Sequence, residues 1–220
     1  MQRVDQFKNV YADTFDNTKK QVLTYNWSDT QFYTAWVGQI YHFLCHSTRM
    51  IPFAASKFST DDEAFFNRCI DHSHEERGHH LMAINDLKQL SSRPSDHPVL
   101  WPTEQLYSYP YHLIDNLDPI AIFGISAYME GLAVEVGKEV TEIVIETFGK
   151  KAASFLISHT HDDEDHIKEV FQALGHCEPH RIDIIERSFL GANMNFLYLL
   201  SEVEKSQKVS QANTNLQATA

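Results

Sequence analysis

The stretch S-H-T-H-D-D-E-D-H, residues 158 to 166, sits inside a run that otherwise reads as an amphipathic helix. His159, Asp163 and His166 stand at i, i+4 and i+7. At about 100° per residue, these three fall within roughly 60° of one another on one helical face. That face is also the apolar one, continued by Leu156, Val170 and Ala173 or Leu174. Two imidazoles and a carboxylate aimed at a core are costly unless something pairs with them. A metal ion would, and the helices would then have to bring further ligands to it. The competing reading is a solvated surface cluster, since His161, Asp162, Glu164 and Asp165 adjoin it.

The same spacing recurs in the run from 61 to 90. His72, Glu76 and His79 are again at i, i+4 and i+7, on a face continued by Phe65, Cys69 and Ala83. Glu75, at the edge of that face, is the second choice to Glu76; His74 and His80 point away. The alternative for this triplet is a buried hydrogen-bonded network. A third part is a single residue. Between Pro119 and Val134 the only charged side chain is Glu130, in I-S-A-Y-M-E-G-L-A-V. An unpaired carboxylate among small and apolar neighbours is unfavourable, and a cation resolves it. Inward carboxylates and imidazoles from three helices are how bundles build carboxylate-histidine metal sites. Mixed N and O ligands without thiolates favour iron or manganese.

Of the 13 histidines, seven lie in the windows 72–80 and 159–166, which argues for a site rather than a composition bias. A net charge of −12 argues against nucleic acid or an anionic membrane as the main partner. Cys45, Cys69 and Cys177 are odd in number and widely spaced, which reads as free thiols in a reducing compartment. No apolar run reaches the length of a membrane span, so a cytoplasmic protein is expected.

No stretch alternates as a strand does, and the periodicity is helical throughout. One helix is expected within 1–25, with a break near Asp16-Asn17. A second follows an N-cap at Trp27-Ser28-Asp29, with Pro52 kinking or ending it. A third runs from a capping box at Thr60 and Glu63 to about Leu90. A shorter helix covers about 103–116. Asp118-Pro119 opens one that continues to about Phe148, with Gly149 as its C-cap. The last two are about 151–174, stopping at Gly175, and 179–204. The expectation is an all-α bundle of about seven helices over residues 1–205, with a loosely ordered tail at 206–220.

The segment A-S-F-L-I-S-H-T-H-D-D-E-D-H-I-K-E-V-F-Q-A-L resembles the third core helix of the heme-oxygenase-like diiron oxidases. That superfamily also holds TenA-type thiaminases, PqqC and the chlamydial protein associating with death domains. The resemblance spans roughly residues 30 to 200. The family's His-x3-Asp-x2-His falls on His159, Asp163 and His166, and its lone middle-helix glutamate on Glu130 within A-Y-M-E-G-L-A-V-E-V-G. H-S-H-E-E-R-G-H-H supplies the first-helix pair as Glu76 and His79. His72 stands where many members carry a carboxylate, so one metal ion or two stays open.

The resemblance implies a heme-oxygenase-like (TenA/PqqC-like) bundle and a non-heme iron oxidase or oxygenase. Its metal ligands would be His72, Glu76, His79, Glu130, His159, Asp163 and His166, holding two iron ions, with manganese the alternative metal. Its partners would be O2 and a small organic substrate, and a homodimer is compatible with it. Glu76, Glu130 and Tyr128 are the candidate catalytic residues, Tyr128 and Tyr41 having packing as their competing role. The other class of function is a metal-free TenA/PqqC-like binding protein or cofactorless enzyme. The TenA branch would place a nucleophilic cysteine near Glu130, where this chain has Met129-Glu130-Gly131. A heme oxygenase proper would need a proximal histidine near the N-terminus, and the first here is His42.

Overall fold

The computed structural model describes residues 2–175 and 177–218, apart from the side chains of 161–169, 173 and 208–218. Among the described residues there is no strand, and nine α-helices account for most of the chain. They are α1 (Gln2–Val22), α2 (Thr30–Ala55), α3 (Glu63–Glu75), α4 (His79–Gln89), α5 (Trp101–Asn116), α6 (Ile122–Glu135), α7 (Gly137–Phe148), α8 (Ser154–Leu174) and α9 (Pro179–Ala218).

Several ends follow the local chemistry read from the sequence. Asp29 caps α2 by accepting the Phe32 N–H. Asp118 accepts the Ile120 N–H and opens a short 3-10 turn, Pro119–Ala121, that leads into α6. Gly149, at φ +83°, closes α7 with its N–H on the Ile145 carbonyl. Three points differ from the local reading. No break interrupts α1 at Asp16-Asn17, and Pro52 lies inside α2 without ending it. The capping box at Thr60 and Glu63 does not form; Thr60–Asp62 is a 3-10 turn, and Ser59 Oγ contacts Asp62 Oδ2 instead.

Nine helices replace about seven because two long runs are broken. The 61–90 run stops at Glu75 and restarts at His79, with Gly78 between them at φ +99°. That left-handed geometry costs an L side chain about 1–2 kcal/mol, so glycine is the residue that permits the break. The 118–148 run bends by 57° between Glu135 and Gly137. At the bend a Cβ on Gly137 would lie 3.0 Å from Thr160 Cγ2, so the missing side chain lets α8 approach closely. The final helix continues past Glu204 to Ala218; the expected tail lies largely outside the described side chains.

The core is built around α6, which packs chiefly on α8 and α9. Phe15, Tyr128 and Phe189 form an aromatic nucleus where α1, α6 and α9 meet, with Phe15 stacked on Tyr128 at 5.5 Å. Burying rings of this size supplies most of the hydrophobic drive at such a crossing. Arg181 at the start of α9 reaches Asp62 (2.6 Å) and Asp118 (2.9 Å), tying three chain segments together. Among the described residues no single helix is long and apolar enough to cross a membrane.

Candidate metal centre

The break at Gly78 shapes the first side of the site. His72 lies in the last turn of α3, Glu76 is its C-cap and His79 opens α4. The three are therefore not on one continuous helical face, yet they converge. Glu76 Oε2 is 3.3 Å from His79 Nδ1, and Glu76 Oε1 is 3.8 Å from His72 Nε2.

Glu130 supplies the second side, from the buried face of α6. It is 5% exposed, and its Oε1 lies 3.0 Å from His72 Nε2. Neither carboxylate oxygen is reached by a hydrogen bond of good angle among the described residues. A buried carboxylate so sparingly satisfied is what a bound cation would complete.

The third side is α8, and its start is fixed by Asp86 of α4. Asp86 is fully buried; Oδ1 accepts the Ser154 N–H and hydroxyl, and Oδ2 accepts the Phe155 N–H, both amides at 3.0 Å. One turn on, His159 Nδ1 lies 2.8 Å from the Phe155 carbonyl oxygen. A carbonyl only accepts, so Nδ1 carries the hydrogen and, in the neutral ring, Nε2 keeps its lone pair. The His159 ring meets His79 edge-on, with centroids 4.7 Å apart. Glu76, His79 and His159 each offer a ligand atom, and these atoms all lie within 4.8 Å of one another.

The electrostatics follow from burial and mutual charge. Burial opposes ionisation of Glu76, but the His79 hydrogen bond and the charges of His72, His79 and His159 prevail and hold it at about 2. Burial alone would lower the His72 pKa; the negative charges of the adjoining Glu130, 3.0 Å away, and of Glu76 raise it instead. For Asp86, burial pushes the carboxyl up against the hydrogen bonds from Ser154 and Phe155.

Of the seven expected ligands, the structure brings together His72, Glu76, His79, Glu130 and His159. The side chains of Asp163 and His166 lie outside the described residues. Glu75 is turned to the surface, where its Oε2 pairs with Arg68 at 3.1 Å. Tyr128 belongs to the aromatic nucleus rather than to the site: it is fully buried against Phe15, Phe189 and Phe196, and burial pushes its hydroxyl well above the usual range. Glu130, two residues on, projects from a different side of α6. His42 Nε2 donates to the His97 carbonyl at 2.7 Å, and His46 stacks on Tyr107 at 3.8 Å, so neither joins the centre.

Asp86 is the residue that sequence reading missed. Its signal was of the same kind as that of Glu130: a carboxylate three residues after Ala83, on the face that buries Ala83 and Leu87. A cavity of about 100 Å³ adjoins the centre, and His72, Glu76, Glu130 and His159 form part of its wall. The rest is largely apolar, contributed mainly by α2, α6, α7 and α8.

No family model and no curated protein matches the chain. Solved structures do. A domain of unknown function with a heme oxygenase-like fold from Shewanella denitrificans OS217 superposes with a TM-score of 0.83 at 19% identity, covering 94% of each chain. The fold is heme oxygenase-like. A TenA homolog from Pseudomonas syringae pv. tomato str. DC3000 shares this heme oxygenase-like architecture at a TM-score of 0.73 and 11% identity, covering 90% of this chain and 92% of that one. A CADD-like protein of unknown function from Nostoc punctiforme PCC 73102 does so at 0.64 and 13%, with 90% and 88% covered. At these identities the likeness is one of fold, and the chemistry rests on the residues of the site.

Proposed function

We propose that the protein is a non-heme iron oxidase or oxygenase that uses O2 on a small organic substrate. The observation that carries this reading is the meeting of Glu76, His79 and His159 ligand atoms within 4.8 Å, beside the sparingly bonded carboxylate of Glu130. The donor set fits: buried carboxylates and imidazoles suit iron or manganese. Glu76, His79 and His159 would hold one ion. Glu130 and His72 would hold a second, together with Asp163 and His166 if their side chains turn the same way. When bound, iron supplies the one-electron chemistry that ground-state O2 requires and that no side chain here can provide.

The chain's own contribution is positioning and exclusion of water. The Phe155 carbonyl fixes the His159 tautomer and ring plane. Asp86 fixes the backbone that carries both. Glu76 stays an anion through the neutral range, because its imidazole neighbours stabilise the charged form. The apolar wall keeps bulk water from the reacting end, which strengthens every interaction there.

A second reading is a metal-free binding protein or cofactorless enzyme. The His72–Glu130 contact at 3.0 Å and the His79–Glu76 contact at 3.3 Å favour it, because they form an ion-pair network by themselves. Oxygen uptake separates the two. Protein loaded anaerobically with Fe(II) should consume O2 on mixing, and the His159→Ala protein should do so at least ten-fold more slowly. Equal uptake by both proteins would remove the centre from the reaction.

A further inference from the structure

The cavity wall carries information about what the centre acts on. Apart from His72, Glu76, Glu130 and His159, its polar side chains are Ser47, Ser126, Thr160 and two indoles: Trp27, whose N–H donates to the Val22 carbonyl at 2.8 Å, and Trp36, whose Nε1 makes no hydrogen bond among the described residues. Ser47 Oγ donates to the Leu44 carbonyl at 3.1 Å, and Thr160 Oγ1 to the Leu156 carbonyl at 3.0 Å, so both hydroxyl hydrogens are spent on their own helices. Ser126 makes no hydrogen bond among the described residues, although it is only 8% exposed. It stands one turn before Glu130 on α6, so its hydroxyl adjoins the polar end of the cavity. Beyond it the wall is hydrocarbon and aromatic, with Trp27 and Trp36 among its members. No lysine or arginine among the described residues lines it.

These features exclude some occupants on energetic grounds. In the metal-free chain a carboxylate headgroup would enter beside Glu76 and Glu130 with no lysine or arginine to meet it. A zwitterion would have to bury two charges against that wall, at a cost of several kcal/mol without partners. A volume near 100 Å³ is of the order of an apolar cavity that accepts one benzene-sized molecule. We propose that the cavity binds a small, neutral, largely hydrocarbon molecule whose single polar group is held by the Ser126 hydroxyl. The binding is a property of the metal-free chain; that the bound molecule is the substrate rests on the oxidase reading.

Binding is measurable without metal, because Trp27 and Trp36 line the cavity while Trp101 is 60% exposed. In the full chain carrying Trp101→Phe, indole fluorescence should respond saturably to 1-hexanol. Affinity should rise about fourfold per methylene from 1-butanol to 1-hexanol, as burial of each CH₂ requires. Hexanoate and the zwitterion 2-aminohexanoate should bind at least ten-fold more weakly than 1-hexanol. Ser126→Ala should weaken 1-hexanol several-fold and leave toluene unchanged, a split that a merely structural role for Ser126 would not give. Ser47→Leu, which fills the cavity, should abolish both responses. Tighter binding of hexanoate, 2-aminohexanoate or hexylammonium than of 1-hexanol would overturn the proposal, as would equal loss of 1-hexanol and toluene on Ser126→Ala. Since no metal enters the measurement, failure of iron binding would leave this result standing, and failure here would leave the iron reading standing.

Discussion

At the scale of single residues, the centre is a set of buried charges that stabilise one another. Glu76 shows this most directly, since its carboxyl is held at about 2 in the fold against a little above 4 in an unfolded chain. A depressed carboxylate contributes stability that is fully present above the unfolded value and is lost as pH falls through the folded one. Metal-free protein should therefore lose stability between about pH 4.5 and 2. In Glu76→Gln the pH slope over that window should be shallower in urea melts, and an unchanged slope would assign the acid sensitivity elsewhere. His72 works in the opposite direction. Its proton must leave before Nε2 can bind a metal, and Glu130 and Glu76 favour keeping that proton. Metal uptake should thus release protons, and calorimetric affinity should increase from pH 6 to pH 8. An affinity that does not change with pH would mean that His72 is not a ligand.

At the scale of elements, the site depends on where helices stop. Asp86 anchors α8 through three donors, and removing a buried cap of this kind costs about 2 kcal/mol or more. For a chain of this size, Asp86→Ala should lower Tm by roughly 4–8 °C in metal-free protein. It should weaken iron binding as well, because His159 follows directly from that start. Gly78→Ala meets no neighbouring atom within 4 Å, so any loss there is backbone strain alone, about 1–2 kcal/mol. Thermal melts check both. These two devices were unequally legible. The triplet spacing of His72, Glu76 and His79 implies one continuous helical face, and the three side chains still converge because a short break keeps them near one another. Gly78, between charged residues in a helical pattern, was the visible sign of the break. Asp86 was visible only as a carboxylate on the face of Ala83 and Leu87; its role was hidden because its partners, two backbone amides and a hydroxyl at positions 154 and 155, are set by tertiary packing.

At the scale of the whole molecule, helical periodicity and the absence of strand alternation were enough to read an all-α bundle, since burying one apolar face per helix leaves few other solutions. The bend after Glu135 was not readable, because it depends on how closely α7 and α8 approach at Gly137 and Thr160. Burial made the Glu130 charge anomalous in the sequence, and the structure sets it beside His72; proximity along the helix alone suggested Tyr128, which packs among Phe15, Phe189 and Phe196. The fold brings α3, α6 and α8 to one cavity and sets His79 of α4 beside Glu76 and His159, and the central claim is that these helices share a metal centre. The most direct measurement is iron per chain after anaerobic loading with Fe(II) and removal of unbound metal, compared between the parent, Glu130→Gln and His159→Ala. The parent should retain one to two irons per chain and each variant at least one fewer, with all three proteins folded by circular dichroism. Equal iron in all three would contradict it.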